Sequence, residues 1–178
     1  MRHLALSALG RDRPGIVAAV TGAMLRHDLN IEDSQMTILR GHFTMMLVVS
    51  GSDELDTAEL RAELDRVAAD LGLEAVSLAE VADAAGAPPD PTHIATVYGA
   101  DHPGIVHATA NAVADQGCNI TDLNARLSEE AGAEPLYVLM LEIAAPADRI
   151  GGLRGALELV GREEGVEVSL RELEHDEL

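Results

Sequence analysis

Apolar residues along the first half of the chain change their spacing several times, and each change predicts a new element. Spacing at every second residue over 3–9 predicts a strand, and spacing at every fourth residue over 15–27 predicts one face of a helix. Two further apolar runs, over 31–39 and 42–50, flank Arg40-Gly41 and predict a β-hairpin. The first fifty residues therefore read as strand, helix, strand, strand.

A second helix and a last strand complete this half of the chain. Asp56 and Glu59 resemble a capping box at the start of the helix, and Gly72 marks its end. Residues 73–81 then predict a strand. The apolar stripe of the helix consists of Leu60, Leu64, Val67 and Leu71.

The second half of the chain repeats the plan of the first. The motif from Asp12 to Val17 returns from Asp101 to Val106, and Asn30-Ile31 returns at the same offset as Asn119-Ile120. Two motifs that share one offset indicate a tandem duplication. The elements predicted here are a strand over 92–99, a helix over 104–116, a strand from 120, a turn near Ala131-Gly132, a strand over 135–144, a helix carrying Ile150, Leu153, Leu157 and Val160, a strand over 166–171 and an acidic tail from Glu172.

The element order predicts an α+β fold of two ferredoxin-like βαββαβ domains. Each domain is expected to be a four-stranded antiparallel sheet with two helices on one face. We place domain 1 at 1–82, a linker with three prolines at 83–91 and domain 2 at 92–178. Small cores of this kind, poor in aromatic residues, often depend on association, so we also expect a homodimer.

The net charge and the cysteine content limit which binding partners and which cell compartment we expect. The chain has 12 Arg plus Lys against 31 Asp plus Glu, a net charge of −19, which disfavours direct binding to nucleic acid or to a membrane surface. Cys118 is the only cysteine, so an internal disulfide is excluded and a reducing compartment is favoured. With no apolar run of ~20 residues, we expect a cytoplasmic protein.

Both repeats keep a Pro-Gly turn that opens a helix and an Asn that follows the same helix. The turn can direct backbone N–H groups toward a small anion, and the helix N-terminus adds partial positive charge. An Asn side chain offers a donor and an acceptor, which suits a ligand carrying both a carboxylate and an ammonium group. We therefore expect the corner amides and the Asn of a repeat to hold one free amino acid.

Other users of this fold fit the residues less well. An RNA-binding module needs exposed aromatics and a basic face, and a soft-metal carrier needs a cysteine pair. A phosphate-ester hydrolase of acylphosphatase type could use Arg11, Arg13 and Asn30, yet the second repeat has Ala100 and His102 at the first two positions. No catalytic residue, cofactor or metal is predicted, and a protein-binding regulator without a ligand stays an alternative.

The pattern Asp-x-Pro-Gly-Ile-Val followed by Asn-Ile resembles the ACT domain, a regulatory module that binds amino acids at paired domain interfaces. Two copies resemble the tandem-ACT proteins of the glycine cleavage system transcriptional repressor family. The resemblance implies a non-enzymatic amino-acid sensor acting through a regulator or enzyme partner, with its ligand between the first loop of one domain and a neighbouring domain. It implicates Asp12, Pro14, Gly15, Ile16, Asn30 and Ile31, and then Asp101, Pro103, Gly104, Ile105, Asn119 and Ile120.

Overall fold

The computed structural model describes residues 1–82, 89–128 and 136–173, which form two compact units. Both units have the element order β, α, β, β, α, β. Domain 1 contains β1 (Arg2–Arg11), α1 (Ile16–Arg26), β2 (Asn30–Leu39), β3 (His42–Gly51), α2 (Thr57–Leu71) and β4 (Leu73–Val81). Domain 2 contains β5 (His93–Ala100), α3 (Ile105–Asp115), β6 (Asn119–Ser128), β7 (Leu136–Ala144), α4 (Ile150–Glu164) and β8 (Glu167–Glu172).

The strand order confirms the predicted fold. The sheets run β2-β3-β1-β4 and β6-β7-β5-β8, and every neighbouring pair is antiparallel. In domain 1 the central pair extends from Arg2 opposite Gly51 to Arg11 opposite His42. This register places the loop that follows β1 at one end of the sheet. Asn30, at the start of β2, lies at the other end.

Several predicted segments fall outside the described residues. They include most of the linker at 83–91, the turn near Ala131-Gly132 and most of the acidic tail, although β8 contains Glu172 and the tail therefore starts later than predicted. The predicted domain boundaries stay a prediction.

Alternating strand residues and one stripe of each helix form the two cores. Domain 1 is filled almost entirely by aliphatic and methionine side chains, with Phe43 as its buried aromatic residue. In domain 2, Cys118 lies in the core as a small apolar side chain. The largest fully buried side chains are Leu4, Leu6, Ile16, Met24, Phe43, Leu47, Leu60 and Leu64 in domain 1, and Ile105, Leu139, Leu141 and Ile143 in domain 2.

The ends of α2 follow from local chemistry. Asp56 accepts hydrogen bonds from the backbone amides of Ala58 at 2.9 Å and Glu59 at 3.1 Å, which satisfies two amides that the helix leaves unpaired. Gly72 adopts the left-handed conformation that commonly terminates a helix, with φ of 65°. The predicted boundaries of this helix are confirmed.

The edge strands β2 and β6 each contain a β-bulge that alternation alone did not predict. The register shifts between Ile31 and Asp33 in β2, and between Ile120 and Asp122 in β6. The extra residues are therefore Glu32 and Thr121. A bulge bends its strand and increases the local twist, so both repeats depart from regular pairing directly after the Asn-Ile motif.

Candidate functional site

The first corner, residues 12–16, joins β1 to α1 through a glycine in the left-handed region. Gly15 has φ 98° and ψ −10°, and its carbonyl accepts the first helical hydrogen bond, from the Ala19 amide at 2.9 Å. Within the described residues, no side chain caps this helix N-terminus. Apart from its sequence neighbours, no described residue has a heavy atom within 4 Å of the position that a Cβ would take on Gly15, so the corner is open on that side.

The second corner, residues 101–105, has the same construction with a more enclosed surface. Gly104 has φ 117°, its carbonyl accepts from the Ala108 amide at 2.8 Å, and the helix start again lacks a side-chain cap among the described contacts. A crevice of about 440 Å³ lies against the corner and is lined by residues 101–107 together with Tyr137. Both corners can therefore present main-chain amides to a small anion.

One residue of each corner ties the loop to the C-terminus of the second helix. Arg13 donates from Nη1 to the carbonyl oxygen of Leu71 at 3.0 Å, and Nε2 of His102 lies 2.9 Å from the carbonyl oxygen of Glu164. Cationic groups are favourable at a helix C-terminus, where carbonyl groups lack partners. Sequence reasoning missed this role, although both repeats place a side chain that can be cationic between Asp and Pro.

The His102 ring lies between its own turn and the end of α4. Its Nδ1 lies 3.2 Å from the carbonyl oxygen of Pro103 and 3.7 Å from Oε2 of Glu164. The hydrogen bond to the Glu164 carbonyl, then that to Pro103, and finally the charges of Glu164 and Asp101 raise the pKa of His102 above its ordinary value. Burial raises the pKa of the neighbouring Tyr137 hydroxyl, and the Asp101 charge adds to that effect.

The two asparagines lie far from the corners of their own domains. Gly15 precedes α1 and Asn30 follows it, and a helix of 11 residues is about 16 Å long. The sheet register agrees, because Arg11 pairs with His42 at one end of β3 whereas Asn30 pairs with Ser50 at the other. The expected convergence on one amino acid is therefore wrong within a single domain, and α3 separates Gly104 from Asn119 in the same way.

Asn30 and Asn119 have different neighbours in their two domains. Asn119 lines a separate crevice of about 380 Å³ together with Thr92 and Gly117. Asn30 pairs with Ser50, whose buried hydroxyl has no hydrogen-bond partner among the described residues. The following isoleucines pair with β3 and β7: Ile31 lies opposite Val49, and Ile120 lies opposite Ile143.

The remaining predicted site residues divide into exposed carboxylates and core side chains. Asp12 and Asp101 are exposed, and the Asp12 backbone amide donates to the Gly41 carbonyl at 3.0 Å. Ile16 and Ile105 are buried in the cores, so only their backbone amides can contact a ligand at the corners.

The three residues that a phosphate-ester hydrolase would use do not lie together in the structure. Arg13 is bonded to a main-chain carbonyl, Arg11 ends β1 opposite His42, and Asn30 lies beyond the far end of α1. Within the described ranges, no group of three or more His, Cys, Asp or Glu side chains is arranged to hold a metal ion. No helix in that part of the chain is both long and apolar enough to span a bilayer.

Comparison with known families matches both repeats to the ACT domain, over residues 2–77 and 92–171. A UPF0237 protein of Methanopyrus kandleri is 35% identical over 77 residues, which are 43% of this chain and 86% of that protein. A UPF0237 protein of Streptococcus mutans is 43% identical over 60 residues, 34% of this chain and 68% of that protein. Each relative thus corresponds to about one repeat.

Two solved structures are similar over nearly the whole chain. The crystal structure of an unknown protein from Galdieria sulphuraria has a TM-score of 0.80 at 27% identity, covering 97% of this chain and 99% of that one. A candidate glycine cleavage system transcriptional repressor has a TM-score of 0.76 at 18% identity, covering 98% of each chain, and shows the same fold. With both repeats matched in sequence and in strand order, the chain belongs to the ACT domain family as a tandem of two such domains.

Proposed function

We propose that this tandem ACT protein is a non-enzymatic sensor that binds a free amino acid at its Pro-Gly corners. The observation that carries the proposal is the shared geometry of Gly15 and Gly104, each of which opens a helix whose N-terminus has no side-chain cap among the described contacts. A ligand carboxylate at such a corner would accept from the first-turn amides and interact favourably with the helix dipole.

The rest of the ligand requires groups that one corner does not supply. Asp12 and Asp101 are exposed carboxylates beside the corners and are the available partners for the ligand ammonium. Asn30 and Asn119 can join only from another copy of the domain, because α1 and α3 separate each from the corner of its own domain. The family resemblance, with ligands between neighbouring domains, supports such a shared site and a homodimer.

The downstream step in this proposal is recognition by a protein partner. Ligand binding would order the corners and change the population of a state that the partner recognises. A net charge of −19 supports a protein rather than DNA as the direct partner, because the surface repels phosphate. Control of amino-acid metabolism or of its transcription would follow through that partner, in the reducing cytoplasm that a single cysteine favours.

Calorimetric titration and thermal unfolding of the whole chain with each of the twenty amino acids test the proposal. A ligand at a hundred times its Kd should stabilise its domain by ~2.7 kcal/mol. Gly15→Ala and Gly104→Ala should weaken binding, whereas Gly155→Ala is the control, because Gly155 is exposed on α4 with open space around its Cβ position. If no amino acid gives heat or a thermal shift at millimolar concentration, the alternative of a ligand-free protein-binding regulator replaces the sensor.

A further inference from the structure

Both ring nitrogens of His102 face main-chain carbonyl oxygens. Nε2 lies 2.9 Å from the Glu164 carbonyl and Nδ1 lies 3.2 Å from the Pro103 carbonyl. A carbonyl oxygen can only accept, and a neutral imidazole carries one N–H, so only the protonated ring can donate both hydrogen bonds. On deprotonation, one nitrogen would turn a lone pair toward a carbonyl oxygen and that contact would be lost.

The Glu164 carboxylate connects the charge of His102 to the candidate site. Its Oε2 is 3.7 Å from Nδ1 of His102 and 3.5 Å from the position that a Cβ would take on Gly104. A carboxylate this close to the corner repels a ligand carboxylate by its charge, unless a cation compensates it. Asp101 is the other acidic group acting on His102, and His107 and Tyr137 are the further titratable groups that line the crevice.

Domain 1 provides an internal comparison at the same motif position. Arg13 makes the matching contact with the end of α2, and its guanidinium stays protonated at any physiological pH. The matching helix end carries Leu71 in place of Glu164, and the rest of the described chain leaves the Cβ position of Gly15 open. Among the described residues, the first corner therefore has a permanent cation and no carboxylate placed like that of Glu164.

We propose that protonation of His102 acts as a latch that holds the second corner in its binding conformation, whereas Arg13 holds the first corner independently of pH. The protonated ring joins the Pro103-Gly104 turn to the C-terminus of α4 and neutralises Glu164. The latch itself is a property of the loop, and its effect on a ligand carboxylate rests on the proposed amino-acid function.

The direction of the pH response follows from the shift in the His102 pKa. Folding raises this pKa, so the stabilisation by the latch is complete below the ordinary histidine pKa of about 6.5 and is lost as the pH rises through the higher folded value. Every increase of one in the pKa corresponds to about a tenfold change in the latch equilibrium. The second corner is thus expected to loosen on the alkaline side of the histidine range.

Nuclear magnetic resonance on the whole chain without ligand tests the latch. The hydrogen-exchange protection factor of the Ala108 amide, which donates to the Gly104 carbonyl, is followed from pH 5.5 to 9. The Ala19 amide, which donates to the Gly15 carbonyl, is the internal reference. We expect the Ala108 protection factor to fall in one step at the pKa of the His102 ring. The Ala19 protection factor should stay constant. His102→Arg, which copies the first repeat, should abolish the step, and His107→Gln should keep it.

An Ala108 protection factor that is constant across this range in the wild-type chain would overturn the proposal. A step that survives in the His102→Arg variant would do the same, once circular dichroism shows that this variant is folded. Amino-acid binding by the same chain is measured separately. A step in the Ala108 protection factor in a chain that binds no amino acid supports the latch and removes the sensor function, whereas amino-acid binding without any step removes the latch alone.

Discussion

Replacing Gly15 by alanine tests the corner geometry directly. The residue has φ 98°, where an L-amino acid is disfavoured by ~1–2 kcal/mol, and the open space around its Cβ position adds no collision with the protein. The expected loss in the free energy of unfolding is therefore about 1–2 kcal/mol. For a domain of this size, that lowers the Tm by about 4–8 °C for each kcal/mol.

Gly22→Ala in the same helix is the matched control with the opposite sign. Gly22 lies inside α1, where alanine is favoured over glycine by about 1 kcal/mol. A Cβ there would lie 3.3 Å from Nη1 of Arg26, the end of a flexible side chain that can move away. The two alanine variants are thus expected to differ in stability by about 2–3 kcal/mol.

Urea unfolding followed through resolved amide signals measures this difference. The signal of buried Val20 reports on domain 1, and that of buried Val113 reports on domain 2 as an internal reference. The reasoning is refuted if Gly15→Ala is as stable as the wild-type chain, because the corner would then not hold its glycine at positive φ. A destabilising Gly22→Ala would instead show that Arg26, which pairs with Glu63, cannot move away from the added methyl group.

Three further predictions concern the scaffold. Leu60→Ala should reduce the stability of domain 1 by ~2–5 kcal/mol in urea unfolding, because the side chain is fully buried and leaves a cavity. Asp56→Ala should cost about 0.5–2 kcal/mol in the same measurement, because two amide hydrogen bonds at the start of α2 are lost. The Cys118 thiol should react slowly with iodoacetamide at pH 8 in the folded chain and rapidly in urea, as followed by mass spectrometry, because burial raises its pKa.

Each of these predictions has its own control. Leu25→Ala, at a leucine with 76% of its surface exposed on α1, should change stability far less than Leu60→Ala, and equal effects would contradict the assignment of the core. Asp56→Asn should retain most of the cap, so a loss equal to that of Asp56→Ala would argue against the observed hydrogen bonds. Equal alkylation rates of Cys118 in folded and unfolded chains would show that the thiol is accessible.

The sequence predicts the repeated fold well because each element carries its own local signal. The four-residue spacing of Ile16, Val20 and Met24 places α1 within about two residues of its observed ends, and Gly72 marks the end of α2. The helix predicted between Gly15 and Asn30 also implies their separation, because its length alone exceeds the size of an amino acid. The expectation that Gly15 and Asn30 of one domain hold the same amino acid was therefore less well founded than the expected fold.

The contacts of Arg13 and His102 depend on tertiary packing. Arg13 reaches Leu71, and His102 reaches Glu164, across more than fifty residues of sequence, and no local pattern specifies which helix end a loop will meet. In the sequence, His102 in place of Arg13 served only as an argument against a phosphate-ester hydrolase. In the folded chain they occupy the same place and meet the same kind of acceptor.

The bulges at Glu32 and Thr121 limit how each sheet can be extended. β2 is the outermost strand of its sheet, and its regular backbone pairing is interrupted near its start. A strand that adds to this edge can continue the ladder without a break only beside Asp33–Leu39, about 24 Å of backbone. The Asn-Ile motif lies beyond that stretch, so an added strand would end before covering it and would leave Asn30 free to contact a small molecule.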